Sequence, residues 1–373
     1  MSKMLNLVHV TTVHSAEDNR IFRKIVLGLR NRGYKLHYIA GSSSNIDVSK
    51  YSDINFIKLK SGGVSRRVCN MFIVLLEVLK LKRGIVHFHD PELIPVCILM
   101  RVFGWEVVYD VHEDNKLGMK QKSYIPKYLR KLLSVFVVLM EAAAKRLFSI
   151  VIAEKAYKNR FPDSVMVLNY PVYDQDYRVN SREDYETLNF IYTGTISEDR
   201  GALLFVNLLK ALPSARLTVV GRCKKALHQQ IIASTYEVAD RIYLNVSENG
   251  VPYSDIEEYY NQGEWAYGIA LFPKTEHYYE KELTKFFEYL QHGIPVICSN
   301  FPVWEELIQN DRAGLCVDID DLDRSLQLVS DQLTDAKLWK EMAHNALKTS
   351  REYTWQSQID GLLILYKRLA EKI

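Results

Sequence analysis

Glu280-Lys-Glu-Leu-Thr-Lys-Phe-Phe-Glu-Tyr-Leu-Gln-His-Gly-Ile-Pro-Val-Ile-Cys-Ser-Asn300 is the stretch on which the fold of this chain turns. It sets two carboxylates, Glu280 and Glu288, with seven residues between them. A helix-forming run follows, stops at Gly293-Ile294-Pro295, and passes into an apolar strand, Pro295–Cys298. A helix start that faces an open loop offers unpaired backbone N–H groups and the positive end of its dipole, which suits a diphosphate. Carboxylates beside that turn accept hydrogen bonds from sugar and ribose hydroxyls. Two Glu residues alone would more often be a solvated helix face, so their weight comes from context.

Outward from this segment, short strands rich in Val and Ile alternate with helical patterns, which predicts parallel sheets with helical crossovers. In the first half, strands are expected at Met4–Val10, Tyr34–Ala40, Asn55–Leu59, Ile85–His89, Glu106–Asp110, Ser149–Ala153 and Val165–Leu168. Helices are expected at Ile21–Arg32, Val68–Lys82, Leu93–Phe103 and Tyr128–Phe148. The polar run 171–186 reads as a linker. The alternation then restarts, with strands at Asn189–Thr193, Arg216–Val220, Ile242–Val246, Ala266–Phe272, Pro295–Cys298 and Gly314–Val317. Helices are expected at Ala202–Ala211, Lys224–Tyr236, Ser254–Asn261 and Thr284–Gln291. The fold class is α/β, with Rossmann-like domains at 1–170 and 187–356 facing across a cleft. Ligands of such sheets bind beyond the carboxyl ends of the strands.

The 373 residues suit two domains, and 48% apolar with 25% charged residues is a globular composition. A net charge of +3 does not argue for a nucleic-acid partner. Between Asn115 and Met140, however, six basic residues stand without one acidic residue. The five cysteines are scattered, with no Cys-x-x-Cys pair, which points away from zinc and disulfides and toward a reduced, cytoplasmic compartment. The N-terminus turns polar too early for a secretory signal, and no run of about 18 apolar residues spans a bilayer.

The loops after strands carry the candidate chemistry. His14 and Asp18 follow the first strand; Asp18 equally suits a helix cap. No Gly-x-Gly-x-x-Gly is present, so a dinucleotide cofactor is not indicated. His89, Asp90 and Pro91 follow the fourth strand, Asp90 as a helix start and His89 either functional or a polar strand end. His112, Glu113, Asp114 and Asn115 form a dense polar cluster after the fifth, better suited to sugar hydroxyls than to a metal. In the second half, Gly194-Thr195 with Arg200-Gly201, and Gly221-Arg222, are glycine-plus-cation corners of the kind that cradle phosphate. The turn Asn249-Gly250-Val251-Pro252 offers backbone to a nucleobase. Asp318 and Asp320 suggest a metal pair only superficially; capping accounts for them more simply.

With those residues in place, the chain resembles the family 4 glycosyltransferases, which have the two-domain GT-B architecture and retain anomeric configuration. The most specific part is Glu280–Asn300, similar to the family's pair of glutamates and its Lys-x-x-Glu-x-x-x-x-Gly-x-Pro-Val-Ile continuation. His89–Pro95, Tyr109–Asp114 and the closing segment from Tyr353 add to it. The resemblance implies that a C-terminal helix, about 357–373, crosses back to the first domain. It implies that Glu280 contacts donor sugar hydroxyls and Glu288 the ribose, that backbone at Leu283, Thr284, Lys285 and Phe286 holds the diphosphate, and that His112 approaches the sugar. Arg200 corresponds to the family's phosphate-neutralising cation. Thr195 stands where a second cation is usual, and Arg222 or Lys285 is the candidate replacement.

The expected reaction is transfer from a nucleotide sugar to a hydroxyl of a lipid-linked saccharide in cell-surface polysaccharide synthesis. Donor contacts are expected from Thr195, Arg200, Gly221, Arg222, Gly250, Val251, Leu283, Thr284, Lys285 and Glu288. Acceptor contacts are expected from His14, Asp18, His89, Asp90 and Glu113. No metal or cofactor is expected. Residues 116–140, basic and then apolar, suggest a peripheral position on the inner face of the cell membrane. The alternatives are a nucleotide-sugar 2-epimerase of the same architecture and a non-catalytic sugar-nucleotide-binding subunit.

Overall fold

The computed structural model describes residues 4–41, 47–112, 127–172, 182–275 and 278–373. The chain divides into two compact units, Met1–Asn169 with Trp355–Ile373, and Tyr170–Thr354. The middle of the expected linker, 173–181, lies outside the described residues, and its ends join the second unit.

The first unit is built on a parallel sheet ordered β3-β2-β1-β4-β5-β6-β7. Its strands are β1 (Leu5–Val10), β2 (Tyr34–Gly41), β3 (Ile54–Leu59), β4 (Gly84–Phe88), β5 (Glu106–Val111), β6 (Ser149–Ile152) and β7 (Val165–Met166). They read as continuous apolar runs because both faces are covered. Helices α1 (Val64–Leu79), α2 (Ile94–Val102) and α3 (Lys127–Leu147) cover one face, where Val74, Val78, Met100 and Ala144 share a core with Val86 and Val107. A π-type helix, Asn19–Val26, and the closing helix Trp355–Ala370 cover the other, where Ile25, Ile359 and Leu362 pack with Leu7 and Ile85. Trp355 fixes the closing helix by donating from its indole to the Lys24 carbonyl at 3.0 Å. The strand order reverses between β1 and β4, so their carboxyl ends open the crevice where a ligand belongs.

The second unit repeats the plan with strands β8 (Leu188–Ile196), β9 (Ala215–Cys223), β10 (Ile242–Ser247), β11 (Tyr267–Ala270), β12 (Val296–Ser299) and β13 (Gly314–Val317), ordered β10-β9-β8-β11-β12-β13. Its principal helices are α4 (Phe205–Ala211), α5 (Lys225–Ser234), α6 (Tyr253–Gln262), α7 (Thr284–Gln291), α8 (Leu322–Thr334) and α9 (Ala336–Ser350); the closing helix is therefore α10. Reversal here falls between β8 and β11.

The expected ends of β8 and β9 need correction. Gly194-Thr195 and Gly221-Arg222 are not turns after strands; both strands run on through them. Gly194 pairs with Gly221 and Thr195 with Arg222. Gly221 has φ 146°, and a Cβ there would lie 1.9 Å from the Gly194 oxygen, so the close approach of the strands requires glycine.

Candidate functional site

At the carboxyl end of the first sheet, a buried polar network replaces apolar packing. Asp110, at the end of β5, is fully buried and accepts a two-pronged bond from Arg20, Nε at 3.0 Å and Nη2 at 2.8 Å. Burial alone would raise the Asp110 carboxyl, but the Arg20 charge and hydrogen bonds from His89 and Arg20 hold it well below the carboxylate range. His89 Nδ1 is 3.1 Å from Asp110 Oδ2, and its Nε2 lies 3.3 Å from His9 Nδ1. The Tyr366 hydroxyl of α10 touches His87 Nδ1 at 2.5 Å and stands 3.5 Å from His9 Nε2. Burial pushes all three imidazoles down, His89 to about 3, so they are neutral at physiological pH. Among the described residues, His87, His89 and Asp110 are the one group close enough to share a metal ion. Arg20 already occupies both Asp110 oxygens and adds a positive charge there, which opposes a cation.

Above this layer, Asp90 gathers the loop after β1. Its Oδ2 accepts from Thr11 Oγ1 at 2.9 Å and from the Thr12 backbone N–H at 2.6 Å. Asp90 stands at the cap position of the turn that Pro91 opens, as expected, although its side chain makes no cap bond to that turn. Asp18 caps the π-type helix, accepting from the N–H groups of Arg20 and Ile21. His14 bridges these carboxylates, 3.3 Å from Asp90 and 3.8 Å from Asp18. Its Nε2 meets His112 Nε2 at 2.9 Å. With His112 Nδ1 donating to the Asp110 carbonyl, His112 Nε2 accepts from His14. Burial holds the His112 imidazole low, against the pull of Asp110 and with a further push from His14.

Of the expected acceptor residues, His14 and Asp18 are partly exposed, whereas His89 and Asp90 are buried at 2% and 1%. The last two are corrected: with their polar atoms bonded inside the protein, they shape the crevice and do not line it. Glu113 lies outside the described residues, as do 116–126.

In the second unit, α7 starts as its sequence dictates, Leu283 at the cap position providing no side-chain cap. Lys285 sits in the first turn but is buried, with Nζ lacking a hydrogen-bond partner and 3.4 Å from the Tyr192 ring centroid. Burial, then the charge of Arg200, drives the Lys285 ammonium well below the usual lysine range, while Glu288 opposes. Arg200 donates from Nε to the Tyr278 hydroxyl at 2.9 Å. Gly201, at φ 77°, lets that turn lie against the Leu271 carbonyl, which a Cβ would meet at 1.7 Å.

Glu280 is exposed, two residues past the buried Tyr278. Trp304 pins this loop by donating to the Lys281 carbonyl at 2.5 Å. Glu288 is half-buried and accepts from the Tyr260 hydroxyl at 3.2 Å; Tyr260 in turn meets Thr193 Oγ1 at 2.6 Å. Arg222 holds the turn beyond β10, its Nε 3.0 Å from the Glu248 carbonyl; Gly250 in that turn has φ 86° and Val251 follows it half-buried. Thr195, Arg222, Lys224, Gln230 and Glu248 line a pocket of about 620 Å³. Since Thr195 and Arg222 are direct cross-strand partners, the cation absent from one strand stands on the next. Sequence reading missed Tyr192, Tyr260, Tyr278 and Trp304, although Tyr278 sits in the His277-Tyr-Tyr-Glu280 run. Asp318 and Asp320 cap no helix with their side chains: Lys274 pairs with Asp320 at 2.5 Å, and Asp318 accepts from the Asp320 N–H.

Residues 174–349 match the family described as glycosyl transferases group 1. The whole fold is similar to solved glycosyltransferases. One from Rickettsia africae aligns with TM-score 0.72 at 15% identity, covering 98% of this chain and 99% of that one. HepE from Anabaena, solved with UDP and glucose, aligns with TM-score 0.69 at 11% identity, covering 98% and 100%. WaaG, a glycosyltransferase involved in lipopolysaccharide biosynthesis, aligns with TM-score 0.64 at 14% identity, covering 95% and 98%. No curated protein matches the sequence.

Proposed function

We propose a specific reaction for this chain, which is a glycosyltransferase of GT-B fold with a group 1 domain at residues 174–349: retaining transfer of a sugar from a nucleotide sugar to a saccharide hydroxyl. The observation that carries the donor assignment is Lys285, a buried cation without a hydrogen-bond partner in the first turn of α7. An unpaired ammonium costs the free protein stability, and a diphosphate at the helix start would supply the missing partner. Arg200, Lys285 and the α7 N–H groups then neutralise the leaving diphosphate, and Arg222 contributes the charge that Thr195 lacks. This supply of positive charge suits departure without a divalent ion.

In the front-face displacement we assign, the acceptor oxygen bonds to the anomeric carbon as the bond to the diphosphate oxygen breaks. The acceptor proton passes to that departing oxygen, so no protein nucleophile is needed. Glu280 orients the sugar hydroxyls, Glu288 the ribose, and Thr284 with Leu283 the diphosphate backbone contacts. In the first unit, His112 serves the sugar, while His14 and Asp18 serve the acceptor. HepE structures with UDP and with UDP-glucose support a uridine donor class, and WaaG a cell-surface saccharide acceptor carried on lipid. The enzyme would then work in the cytoplasm, at the inner face of the membrane. Replacing Glu280 with Ala tests the assignment: transfer should disappear while the melting temperature holds, and near-normal turnover would sink it.

A further inference from the structure

The five cysteines are scattered along the sequence, yet the fold brings two of them together. Cys298 in β12 and Cys316 in β13 are direct partners in the parallel register, and their Sγ atoms lie 3.6 Å apart. That is a contact between two free thiols. Neighbouring strands set their Cα atoms about 4.7–4.9 Å apart, inside the range of roughly 4.4–6.8 Å that a disulfide spans. The two thiols differ in access. Cys298 is 0% exposed, whereas Cys316 is half-buried on β13, the edge strand of its sheet. Burial, then Cys316 and the Glu305 charge, hold the Cys298 thiol well above the usual cysteine range. Cys316 therefore meets a dissolved oxidant first, and Cys298 reacts only through it. Cys69, Cys97 and Cys223 stand on other elements, and among the described residues none of them touches a second thiol.

The pair is tied to the loop that carries Glu280. Ser299, next to Cys298, clamps the end of β11: its Oγ donates to the Phe272 carbonyl and accepts from the Phe272 N–H, both at 2.8 Å. The Asn300 N–H donates to the carbonyl of Val317, next to Cys316, at 3.0 Å. Immediately beyond, Phe301 opens the turn that ends in Trp304, whose indole holds the Lys281 carbonyl at 2.5 Å. The helical turn that continues from Glu305 packs on β13. Closing a disulfide draws the sulfurs from 3.6 Å to about 2.0 Å. Both strand ends then shift, and the bonds at Phe272 and Lys281 loosen with them.

We propose that Cys298 and Cys316 are a reversible thiol pair, oxidised by a low-molecular-weight disulfide, whose closure loosens the Glu280 loop. The Cys316 thiolate attacks one sulfur of glutathione disulfide; that S–S bond breaks and one glutathione leaves. Cys298 then attacks the Cys316 sulfur, the mixed disulfide breaks, and the second glutathione leaves with the Cys298 proton. Two electrons pass from the cysteine pair to the glutathione disulfide. In a reducing compartment such bonds are transient, and the regulatory ones are those easily reduced. The consequence for transfer rests on the Glu280 assignment above; the thiol chemistry and the loosening do not. The test treats the folded full chain with glutathione disulfide and maps its thiols by mass spectrometry, the exposed Cys69 reporting that the reagent acts. A cross-linked Cys298–Cys316 peptide should form and should vanish with dithiothreitol, whereas Cys298→Ala should stop at a glutathione adduct on Cys316. Hydrogen exchange at residues 278–281 should rise roughly three- to tenfold in the oxidised chain, the worth of one lost hydrogen bond, and should not rise in Cys316→Ser. No cross-link in the folded chain while Cys69 is modified would overturn the proposal. So would a cross-link that dithiothreitol leaves intact, or unchanged exchange at residues 278–281. Neither readout uses a donor, so the pair and the donor assignment can fail separately.

Discussion

Lys285→Met should make the free protein more stable and the enzyme worse. In the structure the ammonium is buried, has no hydrogen-bond partner, and faces the Tyr192 ring at 3.4 Å. A buried donor left unsatisfied disfavours the fold by about 1–3 kcal/mol, and a cation–π contact returns roughly 0.5–2 kcal/mol. Methionine keeps the length and apolar contacts of the stem, so the balance favours the variant by about 1 kcal/mol. For a domain of this size that is a rise of about 2–4 °C in Tm. The advantage should shrink as pH approaches the ordinary lysine value of about 10.4, where the unfolded chain also loses the proton. With a diphosphate bound the sign reverses. Loss of a charge-assisted bond worth about 1.5–3 kcal/mol weakens donor affinity by roughly 10–150-fold. Scanning calorimetry with and without a panel of nucleotide sugars reads both effects. A variant that melts lower than the parent when unliganded, or keeps its donor-induced shift, would refute the reasoning.

Arg20→Met strands the fully buried Asp110 carboxylate and should cost about 3–5 kcal/mol, seen as early unfolding of the first unit in urea. Stability should also fall between pH 7.5 and pH 5, because the unfolded chain protonates His9, His87 and His89 below about 6.5 while the folded chain keeps them neutral. His89, held near 3, accounts for about 2 kcal/mol of that loss at pH 5. His89→Gln should flatten the urea midpoint's pH dependence by this amount, and an unchanged slope counts against it. Gly221→Ala drives a Cβ into the Gly194 carbonyl and should cost about 3 kcal/mol or more, read as lost soluble yield or a lowered melting transition of the second unit.

Local punctuation made much of the fold legible. Gly293-Ile-Pro stops α7 at Gln291, and its bounds, like those of β13, are the expected ones. Where punctuation misleads, the reading fell short: Gly194 and Gly221 look like turn residues, and only their cross-strand pairing shows them to be strand interiors. The two α/β units followed from alternation, whereas the site's electrostatics did not. Lys285 on an amphipathic helix reads as a solvated lysine, and its burial depends on Tyr192 and Phe272 from other elements. The histidine layer was equally hidden, because His87 finds Tyr366 across 279 residues and His9 finds His89 across 80. No local periodicity encodes such contacts.

The central claim is donor-dependent, configuration-retaining transfer. It is tested most directly by following the anomeric proton of an α-linked nucleotide sugar by NMR during turnover with a saccharide acceptor. The account predicts release of the nucleoside diphosphate in step with a new α-glycosidic signal, and neither in Glu280→Ala. A β-configured product, or the same α-linked product from Glu280→Ala at the parent's rate, would contradict it.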